Sequence, residues 1–374
     1  LISIDGFRPD YLGRGVTPNL WGLARTGARA SMRPSFPSKT FPNHYTLVTG
    51  LRPDEHGIVA NNMTDAAIPN VRFTMSNTSA VLDPRWWSEA EPIWETAERA
   101  KIPTGTLFWP GSEAAIHGVW PHKWAHFDQS FSSNLRVDML LAWMDLPARE
   151  RPQLATLYFD TVDDVAHHHG PDSPQLNAAA ATVDAAIGRL RAGLKARKLN
   201  ANLVIVSDHG MAPLSDARQV YMDDLLAKDA YRSLELGPIA SIYPAAGHEA
   251  EVEKALLTPR AHMQCWRKAD IPARFHYGHN PRVAPIFCLA ETGWVMTTHD
   301  YHPKGEPTVA DHGYDNESPL MAAIFIANGP AFRRGVVLKT FDNVDVYPLL
   351  ARLIGVAPRP NDGNLDDLAP ALAH

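Results

Sequence analysis

Short apolar runs that each end in a polar residue recur along the chain: Leu1 to Ile4 before Asp5, Leu154 to Phe159 before Asp160, and Leu203 to Val206 before Ser207-Asp208. Continuous apolar runs, rather than alternating ones, suit strands buried on both faces. Helical patterns lie between them. Thr17-Pro18 supplies an N-cap and first-turn pair, Leu20, Leu23 and Ala24 an apolar face, and Gly27 a stop. Ser173-Pro174 opens a longer alanine-rich helix toward Leu199, and Pro42 and Gly50 bracket a short one. Met321 to Ala327 reads as another core strand, and Asp342 to Gly355 as a closing helix with Tyr347, Leu350, Ala351 and Ile354 inward. Strands alternating with helices predict an α/β fold with a mostly parallel central sheet covered on both faces, whose ligands bind beyond the carboxyl ends of the strands.

Residues 1–374 are expected to form a single domain with a small inserted subdomain at roughly 236–298. That stretch holds short strands, one helix around Glu249 to Leu257, and a Pro/His/Asn-rich run from Pro272 to Pro285. Because the first residues already read as a strand, further residues are expected upstream of Leu1.

With 45% apolar and 20% charged residues among 374, the composition is that of a globular protein and excludes disorder, coiled coil and fibre. The formal charge is −6 and the acidic residues are dispersed, so no concentrated basic face points to a long nucleic acid. No run approaches the roughly 18 apolar residues that a membrane span needs. Cys265 and Cys288 are too few for a disulfide framework and lack CxxC spacing; they form either one bridge or two free thiols. The 17 histidines are more informative, because His167-His168-His169, His209 and His312 each lie beside an aspartate.

Ser207-Asp208-His209-Gly210-Met211 follows a strand, so a carboxylate and an imidazole would project from the sheet edge, and both suit zinc. Asp311-His312-Gly313 repeats the signature ahead of the strand at Met321. In the run from Asp160 to Pro171, Asp163 and His167 are four apart and would share a helix face. Asp164 and His168 compete at the same spacing, and a solvated acidic helix start is the alternative for the whole segment. Asp5 closes the first strand and is followed by Gly6, which permits a tight turn near a ligand; a plain turn residue is the other reading. Together these side chains suffice for two metal ions of the kind that clamp an in-line displacement at phosphorus. Thr40 or Phe41 sits just before the helix opened by Pro42, which would place the Thr40 hydroxyl at a positive helix terminus, either as nucleophile or merely as a cap.

Ile4-Asp5-Gly6-Phe7-Arg8, Lys39-Thr40-Phe41-Pro42-Asn43-His44, His56-Gly57-Ile58-Val59-Ala60-Asn61, the Asp163 to Pro171 cluster, Ser207 to Met211 and Asp311-His312-Gly313, in this order, resemble the motifs of the nucleotide pyrophosphatase/phosphodiesterase family of the alkaline phosphatase superfamily. The resemblance covers essentially the whole chain. It implies an alkaline-phosphatase-like fold and two Zn2+ ions, one held by Asp163, His167 and His312 and the other by Asp5, Thr40, Asp208 and His209. It also implies that Thr40 attacks phosphorus to give a phosphothreonine nucleotide, from which water releases a nucleoside 5′-monophosphate. Asn61 corresponds to an amide that contacts a phosphate oxygen, and Phe41 to a ring that stacks on the base, with Tyr158 facing it. The implied substrates are nucleoside triphosphates, dinucleotides and nucleotide esters; phospholipid, phosphonate or sulfate esters are the alternative on the same metal frame. Two cysteines and no added domains suggest a compact bacterial member exported to the periplasm or secreted.

Overall fold

The structure, a computed structural model, describes residues 1–301 and 307–373. The apolar runs form the middle of its main sheet. Strands β1 (Ile2–Ile4), β2 (Ala28–Arg33), β3 (Thr104–Leu107), β4 (Lys123–Ala125), β5 (Leu154–Phe159), β6 (Leu203–Val206), β7 (Ala323–Asn328), β8 (Val336–Val337) and β9 (Phe341–Asp342) lie in the order β8-β2-β7-β6-β1-β5-β3-β4, with β9 also on β2. Only β7 runs against the rest, pairing antiparallel with both β2 and β6. The expected α/β class and mostly parallel sheet are therefore present, and the carboxyl ends of β1, β5 and β6 stand side by side.

Helices α1 (Pro18–Thr26), α3 (Ser133–Met144) and α5 (Pro174–Ala196) cover one face, where Leu20, Val137, Val183 and Ile187 pack on Ile2, Ile4, Ile205 and Ile324. Helices α2 (Thr40–Thr49) and α6 (Val346–Ile354) cover the other, with Tyr45, Val48, Tyr347 and Leu350 against Met32, Val204, Val206 and Phe325. Helix α4 (Thr161–His169) follows β5 directly. Because side chains alternate along a strand, Ser3 points away from Ile2 and Ile4 toward α2, where its hydroxyl meets His44.

Three boundaries differ from those read in the sequence. Helix α2 starts at Thr40 rather than Pro42, with Lys39 as its extended N-cap residue and no side-chain cap bond, so the Thr40 hydroxyl is not spent on capping. Strand β7 starts at Ala323, because Pro319–Met321 turn into a 3-10 helix whose Leu320 and Met321 carbonyls accept the N–H groups of Met211 and Gly210. Helix α6 begins at Val346 after a 3-10 turn at Asn343–Asp345. Between β6 and β7, strands Tyr231–Ser233, Ile239–Pro244, Met263–Arg267 and Ile286–Ala290 form a separate antiparallel sheet with helix Glu249–Leu257. We propose this segment as the inserted subdomain; its first strand lies ahead of residue 236. Cys265 and Cys288 face each other across two of these strands as a disulfide.

Gly210 is where the loop after β6 meets the chain before β7. A Cβ there would lie 2.1 Å from the Leu320 carbonyl oxygen, which is backbone and cannot swing aside. Gly210→Ala should therefore destabilise the fold by about 1–3 kcal/mol in denaturant unfolding, the range typical of overpacking. An unchanged midpoint would show that the close approach is dispensable.

Candidate metal centre and substrate cavity

Asp5 is anchored directly after β1 by its N–H on the Phe159 carbonyl at 2.9 Å. The chain then turns at Gly6, whose φ of +65° suits glycine and where a Cβ would lie 2.8 Å from Asp163 Oδ1. The Gly6 N–H reaches Asp208 Oδ1 at 3.3 Å. Asp208 and His209 leave the end of β6, α4 presents Asp163 and His167 one turn apart, and His312 arrives from the segment ahead of β7. The result is two groups of ligand atoms, Asp163 with His167 and His312, and Asp5 with Asp208 and His209, each group within 4.8 Å. The His312 and His209 rings stack at 3.5 Å, which joins the two groups into one centre. The competing Asp164 and His168 line the neighbouring cavity but belong to neither group.

All three imidazoles are aimed the same way. His167 Nδ1 donates to the Ala310 carbonyl at 2.8 Å, His209 Nδ1 to the Gly210 carbonyl at 3.0 Å, and His312 Nδ1 to the Ser38 carbonyl at 2.9 Å. A carbonyl oxygen only accepts, so each Nδ1 carries a proton and each Nε2 faces the carboxylates, the orientation that outer-shell bonds give metal-ligating histidines. His209 Nε2 lies 2.9 Å from Asp208 Oδ2 and 3.4 Å from Asp5 Oδ1; His167 Nε2 lies 3.3 Å from Asp163 Oδ2.

The electrostatics also favour a cation. Asp5 Oδ1, Asp163 Oδ1 and Asp208 Oδ2 are buried without a hydrogen-bond partner among the described residues, an expensive state for carboxylates. Burial, then the charges of Asp208 and Asp163, push the Asp5 carboxyl well above its ordinary range. Asp208 goes the other way, to about 2: burial opposes its ionisation, but His209, His44 and the Gly6 N–H outweigh it. Asp5, which accepts a hydrogen bond from the Tyr158 phenol, and Asp208 are thus pushed in opposite directions. His312 is held well below its usual value by burial, His209 and Lys39. Burial works against protonation of His167, yet Asp163 carries it up to about 9. Buried oxygen and imidazole donors of this kind fit divalent transition metals such as zinc.

Thr40 Oγ1 lies 3.3 Å from His209 Nε2, at the first residue of α2, where the helix end is positive. Asn61 Oδ1 accepts the Phe41 N–H at 3.0 Å, which fixes the amide and leaves its NH2 group without a partner among the described residues. Beside the ligand groups opens a cavity of about 480 Å³ lined by Thr40, Phe41, Phe108, Phe127 and Tyr158, and by Met75 and Val81. Tyr158 is 8% exposed, edge-on to His44, with its hydroxyl donating to Asp5 Oδ2 at 2.6 Å. Phe127, which the sequence did not single out, is 44% exposed in the same cavity. Its N–H is held by Glu113, and the buried Arg136 guanidinium lies 5.7 Å from its ring and 5.2 Å from that of Phe108. No lysine or arginine lines the cavity among the described residues.

A family model for type I phosphodiesterase / nucleotide pyrophosphatase matches residues 1–315. The chain belongs to that family. It is 39% identical to an uncharacterized pyrophosphatase/phosphodiesterase of Schizosaccharomyces pombe over 99% of this chain and 79% of the relative. It is 36% identical to the Xenopus laevis bis(5′-adenosyl)-triphosphatase enpp4, over 100% of this chain and 81% of the relative. The solved structure of human ectonucleotide pyrophosphatase/phosphodiesterase 5 superposes with a TM-score of 0.94 at 36% identity, covering 100% of this chain and 99% of that one. A murine counterpart, an inactive threonine-to-alanine variant in complex with AMP, gives 0.93 at 36% identity over 100% and 98%. The chain is accordingly a hydrolase with the alkaline-phosphatase-like fold of these enzymes. These relatives are eukaryotic, so the expectation of a bacterial member, drawn from two cysteines and no added domains, receives no support.

Crowded carboxylates make bound metal a stabilising ligand. Chelator treatment should lower the Tm, and Zn2+ at about a thousand times its Kd should restore about 4 kcal/mol. A Tm indifferent to both treatments would reject the centre.

Proposed function

We propose that this chain is a zinc-dependent nucleotide pyrophosphatase/phosphodiesterase that releases nucleoside 5′-monophosphates through a phosphothreonine at Thr40. The observation that carries the reading is the place of Thr40 Oγ1, beside His209, at the start of a helix and on the wall of a cavity with aromatic rings. Asp163, His167 and His312 would hold one zinc, and Asp5, Thr40, Asp208 and His209 the other. Bound there, the ions would supply the Lewis-acid charge that favours ionisation of a hydroxyl and offsets charge growing on phosphate oxygens.

The remaining work falls to the protein. Thr40 Oγ1 forms a bond to phosphorus as the bond to the leaving oxygen breaks; that oxygen takes the electron pair, and the hydroxyl proton passes to solvent. Water then cleaves the phosphothreonine, restores the Thr40 hydroxyl and frees the nucleotide. The Asn61 NH2, aimed by the bond between its own oxygen and the Phe41 N–H, donates to a non-bridging phosphate oxygen. The base packs between Phe41 and Phe127, the ring that Arg136 and Glu113 keep in place. Phe127 joins Tyr158, whose ring lines the same cavity while its hydroxyl is engaged with Asp5.

Support for a nucleotide comes from the relatives named as a bis(5′-adenosyl)-triphosphatase and as an AMP complex of an inactive threonine variant. The absence of lysine and arginine from the described cavity lining favours a singly charged diester over a dianionic monoester. An oxidising, periplasmic or extracellular location accords with the Cys265–Cys288 disulfide.

Thr40→Ala should retain zinc and lose turnover of a thymidine 5′-monophosphate aryl ester by at least about 10³-fold; near-parental turnover would reject Thr40 as the nucleophile. Phe127→Ala should raise KM by roughly 5- to 150-fold, as expected from about 1–3 kcal/mol of base stacking, and an unchanged KM would remove Phe127 from the base site. The parental enzyme should cleave that diester far faster than the matched monoester, and the reverse order would discard the diester assignment.

A further inference from the structure

His44 belongs to neither ligand group, yet it is wholly buried and touches three parts of the centre. It sits one turn after Thr40 on α2, with Nδ1 2.8 Å from the Thr40 carbonyl oxygen and 3.4 Å from Asp208 Oδ2. Its Nε2 lies 2.8 Å from Ser3 Oγ, on β1 two residues before Asp5. Since the Thr40 carbonyl only accepts, the proton is on Nδ1, and the Ser3 hydroxyl donates to Nε2. The rings of Trp109 and Tyr158 stand edge-on to it at 5.1 and 5.0 Å, and the Trp109 indole N–H holds the His44 carbonyl at 3.1 Å, so the ring has no room to turn. Asp208 Oδ2, facing the Nδ1–H, has no hydrogen-bond partner of its own among the described residues.

These contacts account for two oddities. A serine stands in an otherwise apolar buried strand because His44 needs a donor there, and a histidine sits inside the core because three elements converge on it. We propose that His44 is a positioning residue: its single Nδ1–H spans the Thr40 backbone and the Asp208 carboxylate while Ser3 fixes its far side, so that the nucleophile and the second group of metal ligands are set as one unit. This rests on the two-metal reading of the site.

The test is zinc affinity, measured on the full chain by competition with a chromogenic chelator, alongside kcat and KM for the aryl diester. His44→Ala should weaken one of the two zinc sites by about 10- to 100-fold, as loss of an outer-shell partner does, and lower kcat with little change in KM. His44→Asn, whose amide N–H can replace the Nδ1–H, should recover most of both, which a side chain that merely fills space would not do. Ser3→Ala should give a smaller loss of the same kind. Parental affinity and kcat in His44→Ala, or an asparagine variant no better than the alanine one, would overturn the proposal. If circular dichroism shows the alanine variant unfolded, the other two decide: His44→Asn must hold zinc nearly as the parent does, and Ser3→Ala must lose affinity, the opposite result in either being contradictory. Zinc affinity is read without substrate, so an error in the substrate class leaves this result standing. A parental chain that binds no zinc would instead overturn the two-metal reading and this proposal with it.

Discussion

Three aspartates crowd one buried space and lack the donors to satisfy it. Asp5, Asp163 and Asp208 each bury an oxygen with no donor among the described residues, and burial together with the neighbouring charges raises the Asp5 carboxyl well above its ordinary range. A fold carries such a cluster only if the surrounding structure holds it. Here the holding is done by the parallel strands β1, β5 and β6, whose carboxyl ends fix Asp5, α4 and Asp208 side by side. Gly6 after β1 and Gly210 after β6 let the chain approach Asp163 and the Leu320 carbonyl more closely than a side chain would permit.

Around that core of charge, two kinds of support act at different ranges. Backbone carbonyls of Ala310, Gly210 and Ser38 turn the three imidazoles so that every Nε2 faces inward. Farther out, Arg136, buried between Phe108, Phe127 and Asp160, stiffens the aromatic wall of the cavity through its charge and its bonds to the Tyr158 and Phe131 carbonyls. The ligand groups and the aromatic wall of the cavity meet at Tyr158, whose ring lines the cavity while its hydroxyl rests on Asp5.

Much of this was legible in the chain, for identifiable reasons. Ligands that follow a strand end directly, such as Asp5 and Asp208-His209, are announced by the apolar run before them, and the i, i+4 spacing of Asp163 and His167 announces a shared helix face. The choice between that pair and Asp164 with His168 was not available from spacing, because both fit; the three-dimensional position of His312 separates them. The start of α2 was misplaced at Pro42 because proline is a stronger mark than a helix that begins on threonine without a side-chain cap. Phe127 was missed because its role depends on exposure within a cavity, which a lone aromatic in an aperiodic stretch does not reveal. His44 was quoted within a motif but given no role, since Ser3 and Asp208, the groups that define it, lie 41 and 164 residues away.

The central claim is that seven scattered side chains enclose a pair of divalent cations. Crystals of the zinc-loaded protein, measured on both sides of the zinc absorption edge, test it most directly. The account predicts two anomalous peaks, one among Asp163, His167 and His312 and the other among Asp5, Thr40, Asp208 and His209. Zinc found elsewhere, or a centre empty in zinc-saturated crystals, would contradict it.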